Sequence, residues 1–209
     1  MYLVHEKIYV ILSEILGNKF QSSFGETFEE YIEMLLSDLG DVKILNEDEI
    51  KEEYHLHDKE VCDFLLEFPD CFLLLEVKAV QYTKRILSLD TLISANSSKK
   101  IAKAYVQFSS TGNAIEKESL KSKLTFCITF GQMYYPNLDI FYQNVINPNM
   151  NLEIEEVGRL FNYLPQTFSI DEFEELIAII ISEQISPMKL FNEMNDAKVL
   201  KLQGWHTFL

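Results

Sequence analysis

The chain has 209 residues, 47% of them apolar and 12% aromatic, which excludes a disordered polymer and supplies enough material for one domain with a sizeable core. Its formal net charge is −15, from 18 Lys and Arg against 33 Asp and Glu, a balance opposed at first sight to binding a polyanion. The longest apolar run of note, residues 176–181, is far shorter than a bilayer span, and Met-Tyr-Leu-Val-His-Glu-Lys lacks the charged start and apolar core of a signal peptide. A cytoplasmic protein with no membrane partner is the expectation.

Taken in chain order, Val4, Ile8, Ile11, Leu12 and Ile15 recur at helical spacing over residues 2–16, with Gly17 as the stop. Phe28, Ile32, Leu35, Leu36 and Leu39 then mark a second amphipathic helix that begins near Gly25 and carries Glu29. Residues 26–60 hold thirteen acids and three bases. His55 and His57 flank Leu56 in that acidic stretch. Alternating histidines can bind a metal, but no partner cluster accompanies them, so solvent-exposed side chains are expected.

The segment Val61-Cys-Asp-Phe-Leu-Leu-Glu-Phe-Pro-Asp-Cys-Phe-Leu-Leu-Leu-Glu-Val-Lys-Ala-Val80 reads as two strands separated by the turn signal Pro69-Asp70. A hairpin centred there sets residue 66 against 73 and Asp63 against Glu76. Pro69 cannot take the positive φ of a type I′ turn, so a four-residue loop of the same register is expected. Opposed residues on one face have Cβ atoms about 4.5–5.5 Å apart, and Lys78 shares that face by the period of two. Two carboxylates brought together in apolar surroundings repel each other, and a cation turns that repulsion into a site. Hard ions such as Mg²⁺ are held by one or two carboxylates, with substrate phosphate completing the shell. Asp63, Glu76 and Lys78 therefore read as a metal site with an ammonium beside it. The alternative is that Asp63 and Lys78 are strand-end charges and Glu76 faces solvent. A slip of one residue would decide between them.

Residues 78–123 contain nine Lys or Arg against three acids, so half of the basic residues lie at the end of the second strand or directly after it. A chain polarised in this way can approach nucleic acid on one face and reject it elsewhere; the alternative is that the lysines only solvate a helix. Ser97-Ser98-Lys-Lys-Ile-Ala-Lys-Ala-Tyr-Val-Gln-Phe108 reads as that helix, with a serine N-cap, a buried stripe of Ile101, Tyr105 and Phe108, and an adjacent stripe of Lys100, Lys103 and Gln107. Residues 123–130 and 139–146 have strand character. After Asn147-Pro148-Asn149 the pattern turns helical over 152–164 and 170–182, with Ser169 and Glu172 as a capping box and Ser186-Pro187 starting a further short helix. Ten acids and two bases over 152–196 make this part a dimer surface, a docking site for a partner protein, or a cap on the sheet. Cys62, Cys71 and Cys127 are odd in number, lack CxxC spacing and lie in strand-like runs, as reduced core residues do. There is no Gly-rich phosphate loop, HExxH or GxSxG, and no helix-turn-helix or zinc finger is evident.

Asp63, twelve intervening residues and then Glu76-Val77-Lys78, preceded by a helix with a glutamate soon after a glycine, resembles the PD-(D/E)xK nuclease superfamily with its restriction-endonuclease-like fold. The likeness spans residues 25 to 130, and Val61-Cys62 stand where that family has its usual Pro. The resemblance implies an α/β core over 1–150, a central mixed β-sheet flanked by helices, with an acidic helical C-terminal extension over 151–209. It also implies Mg²⁺- or Mn²⁺-dependent hydrolysis of phosphodiester bonds, most readily in DNA, with Glu29, Asp63, Glu76 and Lys78 as catalytic residues. Asp63, Glu76 and the Val77 carbonyl would hold the metal. Lys99, Lys100, Lys103 and Gln107, on the helix after the ExK strand, are the candidate contacts to nucleic acid. The rival reading is a catalytically inactive scaffold or interaction protein on the same fold.

Overall fold

A computed structural model describes residues 2–80, 96–131 and 166–196. The elements run α1 (Tyr2–Ser37), β1 (Lys43–Asn46), α2 (Glu47–Glu53), β2 (Phe64–Glu67), β3 (Cys71–Lys78), α3 (Asn96–Ile115), β4 (Ser122–Thr129), β5 (Gln166–Ser169), α4 (Ile170–Glu183) and α5 (Pro187–Asp196). The five strands form one mixed sheet in the order β1-β2-β3-β4-β5. The first three are mutually antiparallel, whereas β3, β4 and β5 are parallel neighbours. Parallel strands cannot be joined by a tight turn, and α3 lies in the crossover between β3 and β4. This is the α/β architecture expected, a mixed central sheet with helices on both faces.

The covering on both faces explains the uninterrupted apolar run of β3, since a strand buried on two sides has no polar face to show. Leu65, Phe72, Leu74 and Cys127 point to the α2 and α3 side, where they meet Ile50, Ile101, Tyr105 and Phe108. Leu66, Leu73, Leu75, Val77 and Phe126 point to the other side, against Phe28, Ile32 and Leu36 of α1 and Phe173, Leu176 and Ile177 of α4. Phe64 pairs with Leu75 and Leu66 with Leu73, the hairpin register expected. Phe68 N–H donates to the Cys71 carbonyl at 2.9 Å to close the loop around Pro69-Asp70.

Beyond residue 165 the chain adds to the sheet as well as capping it. Strand β5 pairs in parallel with β4, an element not foreseen because Gln166-Thr-Phe-Ser169 is too short to show a period. Ser169 and Glu172 form the expected capping box of α4, and Ser186 Oγ accepts from the Lys189 N–H at 3.1 Å at the start of α5. Both helices contribute to the core, through Phe173, Leu176, Ile177, Ile180, Leu190 and Phe191. Strand β4 falls where expected. The segments expected as a strand over 139–146 and a helix over 152–164, like the boundary at 150, lie outside the described residues. Cys62, Cys71 and Cys127 are buried and free, and His55 and His57 are exposed. No helix among the described residues is long and apolar enough to cross a membrane.

Gly17 breaks α1 with φ +63° and ψ −147°, a conformation open essentially to glycine alone. The chain before it folds back, so that Tyr9 packs on Phe24 and Phe130 with ring centroids 4.8 and 5.2 Å away. Tyr9 OH donates to the Ala79 carbonyl at 2.9 Å, one residue past the end of β3. Because the segment docks through this aromatic side, Ile8, Ile11 and Ile15 of the expected apolar stripe are exposed. Gly17→Ala should cost about 1–3 kcal/mol by straining this residue. Hydrogen exchange is expected to accelerate over residues 2–16 while β3 stays protected. Unchanged exchange in that segment would contradict the account.

Candidate active site

The sheet register brings Asp63, Glu76 and Lys78 together. Asp63 lies one residue ahead of β2 and, continuing the ladder beyond Phe64–Leu75, opposite Glu76. One of its oxygens, Oδ2, accepts from the Val77 N–H at 2.6 Å. A strand residue projects its N–H and C=O to the same side, so the Val77 carbonyl faces the same gap beyond the end of β2. Lys78 Nζ is 4.0 Å from Asp63 Oδ2 and forms an ion pair and hydrogen bond with Glu76 Oε1.

These groups are largely dry. The side chain of Glu76 is fully buried, and those of Asp63 and Lys78 are 13% and 15% exposed. Burial pushes the Glu76 carboxyl well above its ordinary range; Lys78 opposes this and Asp63 reinforces it. Burial also raises Asp63, against the pull of Lys78 and of the Val77 N–H. For Lys78 burial acts downward, but Glu76 and Asp63 outweigh it and raise the ammonium. The directions for Glu76 and Lys78 compete, because ionised carboxylates are what hold the ammonium charged. With two carboxylates facing one ammonium, Lys78 stays cationic and the proton-labile partner is the carboxylate pair. Among the described residues Glu76 Oε2 is buried with no hydrogen-bond partner, which costs about 1–3 kcal/mol, or more for a charged group.

That orphaned oxygen suits a divalent cation. Among the described residues no three His, Cys, Asp or Glu side chains form a ready-made cage. Asp63, Glu76 and the Val77 carbonyl offer a partial shell of hard oxygens, which is how Mg²⁺ is commonly held when phosphate and water complete its octahedron. Cys62 and Cys127, whose thiols are raised by burial, are not nucleophile candidates.

Glu29 reaches the site from α1. It lines a hollow of about 350 Å³ with Glu26, Glu30, Glu47 and Asp63, between α1, α2 and the start of β2. Loss of solvent, then repulsion from Asp63, pushes its carboxyl up to about 7 against the pull of Lys78. Glu47 is the residue that sequence reasoning missed: it raises Asp63, Glu76 and Glu29 alike. It is placed there because β1 pairs Asn46 with Phe64, next to Asp63. The available signal was the capping box of Asn46 and Glu49, in which each reaches the other's backbone N–H at 3.0 and 2.9 Å.

The α3 candidates divide. Lys99, Lys100 and Lys103 are exposed on its first turns. Lys100 is lowered by burial and by Lys78, so it borders the site, and Lys103 pairs with Glu60 at 2.8 Å while pulling Asp63 down. Gln107 leaves the lysine stripe and turns inward: it is buried and its Nε2 donates to the Val61 carbonyl at 3.0 Å. The reason is a backbone carbonyl without a strand partner beneath that turn of the helix.

No protein-family model matches the chain, and no curated protein matches it in sequence. Among solved structures it is similar to the small subunit of a heterodimeric restriction endonuclease, at 13% identity and a TM-score of 0.42, over 81% of this chain and 77% of that one.

Because the folded value of Glu29, about 7, lies above its ordinary 4.5, its neutral form favours the fold below about pH 4.5 and that contribution is lost as pH rises through 7. In the presence of a chelator, Glu29→Gln should melt above wild type at pH 8, and the gap should close as pH falls toward 4.5. A gap that is independent of pH, or of opposite sign, would contradict the electrostatics described.

Proposed function

We propose that the chain is a metal-dependent nuclease that hydrolyses phosphodiester bonds, most readily in DNA. The observation that carries this reading is the convergence of Asp63, Glu76 and Lys78 at the end of β3, with one buried carboxylate oxygen left without a partner among the described residues. Asp63 and Glu76, with the Val77 carbonyl, would hold Mg²⁺ or Mn²⁺. A bound ion of this kind lowers the pKa of water and offsets charge on the scissile phosphate. Lys78, held cationic by the two carboxylates, orients the attacking water and stabilises negative charge as it develops. Glu29, whose carboxyl is raised by partial loss of solvent and by Asp63, positions a further water or exchanges a proton with it. Lys99, Lys100 and Lys103 supply the cationic approach for the phosphate backbone. Without them the surroundings are acidic, and the low affinity this implies fits a chain that acts in a restriction, defence or DNA-processing system whose other parts hold the substrate.

The same acidic hollow favours the second reading, a scaffold or interaction protein on this fold, because Glu26, Glu30 and Glu47 would repel a phosphate at that side of Asp63. Two measurements separate the readings. Mn²⁺ should raise the melting temperature of wild type, by mass action on the folded state, and Asp63→Asn should remove most of that response. Lys78→Ala should abolish cleavage of DNA with Mn²⁺ binding kept, whereas joint replacement of Lys99, Lys100 and Lys103 by alanine should weaken DNA binding and flatten its salt dependence. Wild-type protein that cuts no DNA or RNA in Mn²⁺, with DNA affinity unmoved in the triple variant, would leave the scaffold reading in its place.

A further inference from the structure

Asp63 stands where the β-ladder has run out. Strand β1 pairs only as far as Asn46 opposite Phe64, and β2 begins at Phe64, so the peptide between Val61 and Cys62 lies beyond both. Val61 and Cys62 are fully buried, and a buried backbone group without a partner is expensive. Helix α3 supplies both partners. Cys62 N–H donates to Thr111 Oγ1 at 3.0 Å, and the Val61 carbonyl accepts from Gln107 Nε2 at 3.0 Å. These two groups belong to one peptide unit, whose N–H and C=O point in opposite directions. Gln107 and Thr111 are one helical turn apart on one face, the spacing that lets two side chains reach around a single peptide. Thr111 Oγ1 also donates to the Gln107 carbonyl at 3.0 Å. Its one proton is thereby committed to its own helix, and it meets Cys62 as an acceptor.

We propose that Thr111 and Gln107 are positioning residues, a two-point clamp on the Val61–Cys62 peptide that aims Asp63 at the Val77 N–H and at the bound metal. The proposal rests on the metal-site reading above. One rotatable residue, Cys62, separates the clamped peptide from Asp63. A carboxylate displaced by a fraction of an ångström loses its bond to Val77 and its share of the cation. Cys62 alone does not fix that peptide, since its Sγ bonds to the Phe64 carbonyl at 3.4 Å on the far side of Asp63. Both clamp residues are interior, Thr111 fully buried and Gln107 6% exposed, so they act through Asp63 and do not touch substrate.

Thr111→Val keeps the shape of the side chain and removes the acceptor, whereas Thr111→Ser keeps the acceptor. Mn²⁺ affinity is measured by titration calorimetry at a temperature where circular dichroism shows each variant folded. The expected result is a 10–100-fold weaker Kd in Thr111→Val, the range typical for loss of a group that orients a metal ligand, with Thr111→Ser close to wild type. A merely structural threonine would lower the melting temperature and leave Kd alone, and that outcome overturns the proposal. Gln107→Met, which fills the same space without the amide donor, is judged by the same criterion and decides the matter if Thr111→Val does not fold. Wild-type protein that binds no Mn²⁺ would sink the metal-site reading and the clamp with it, whereas a wild type that binds and clamp variants that bind equally well would sink the clamp alone.

Discussion

A carboxylate in the middle of a dry sheet is the constraint on which the rest of this structure depends. Glu76 sits in β3, a strand covered by helices on both faces, and its side chain has no access to solvent. An isolated buried carboxylate costs several kcal/mol, so the fold must bring it compensating charge. Lys78, two residues on and on the same face, provides one cation. The continuing hairpin register then brings Asp63 to the same place, which leaves two acids to one base. The surplus negative charge at the end of β3 is a consequence of the topology.

The two layers of helices divide the work of holding that charge. On one side α1, α4 and α5 anchor the sheet through Phe28, Ile32, Phe173 and Leu176, and the residues before Gly17 tie Tyr9 to Ala79 just beyond Lys78. On the other side α3 packs Ile101, Tyr105 and Phe108 on the sheet and meets the backbone ahead of Asp63 with Gln107 and Thr111. The site lies where β2 has ended and β3 continues, and of its three residues Asp63 borders the acidic hollow lined by Glu29 and Glu47, while Glu76 is fully buried behind it.

Much of this was legible in the chain because its strongest signals are local. Pro69-Asp70 fixes the turn, the apolar runs on either side fix the strands, and a period of two then sets Asp63, Glu76 and Lys78 on one face. The capping boxes at Ser169 and Asn46 are equally local. What could not be read depends on distant pairing. Lys43-Ile-Leu-Asn46 and Gln166-Thr-Phe-Ser169 are four-residue strands that owe their conformation to β2 and β4, and no propensity over four residues announces them. Glu47 escaped notice for the same reason, since only the β1–β2 pairing carries it to Asp63. Gln107 shows the limit from the other direction: helical spacing puts it beside Lys100 and Lys103, but an unpaired carbonyl at Val61 draws it inward.

The central claim is that Asp63 and Glu76 share one divalent cation at the end of β3. The most direct test is a crystal structure of the protein grown with Mn²⁺, with anomalous scattering recorded at the manganese edge. The account predicts one strong peak within about 2.0–2.6 Å of oxygens from both Asp63 and Glu76, the range over which hard cations meet carboxylates. A clear map with no peak between these two carboxylates, or with manganese bound only elsewhere, would contradict it.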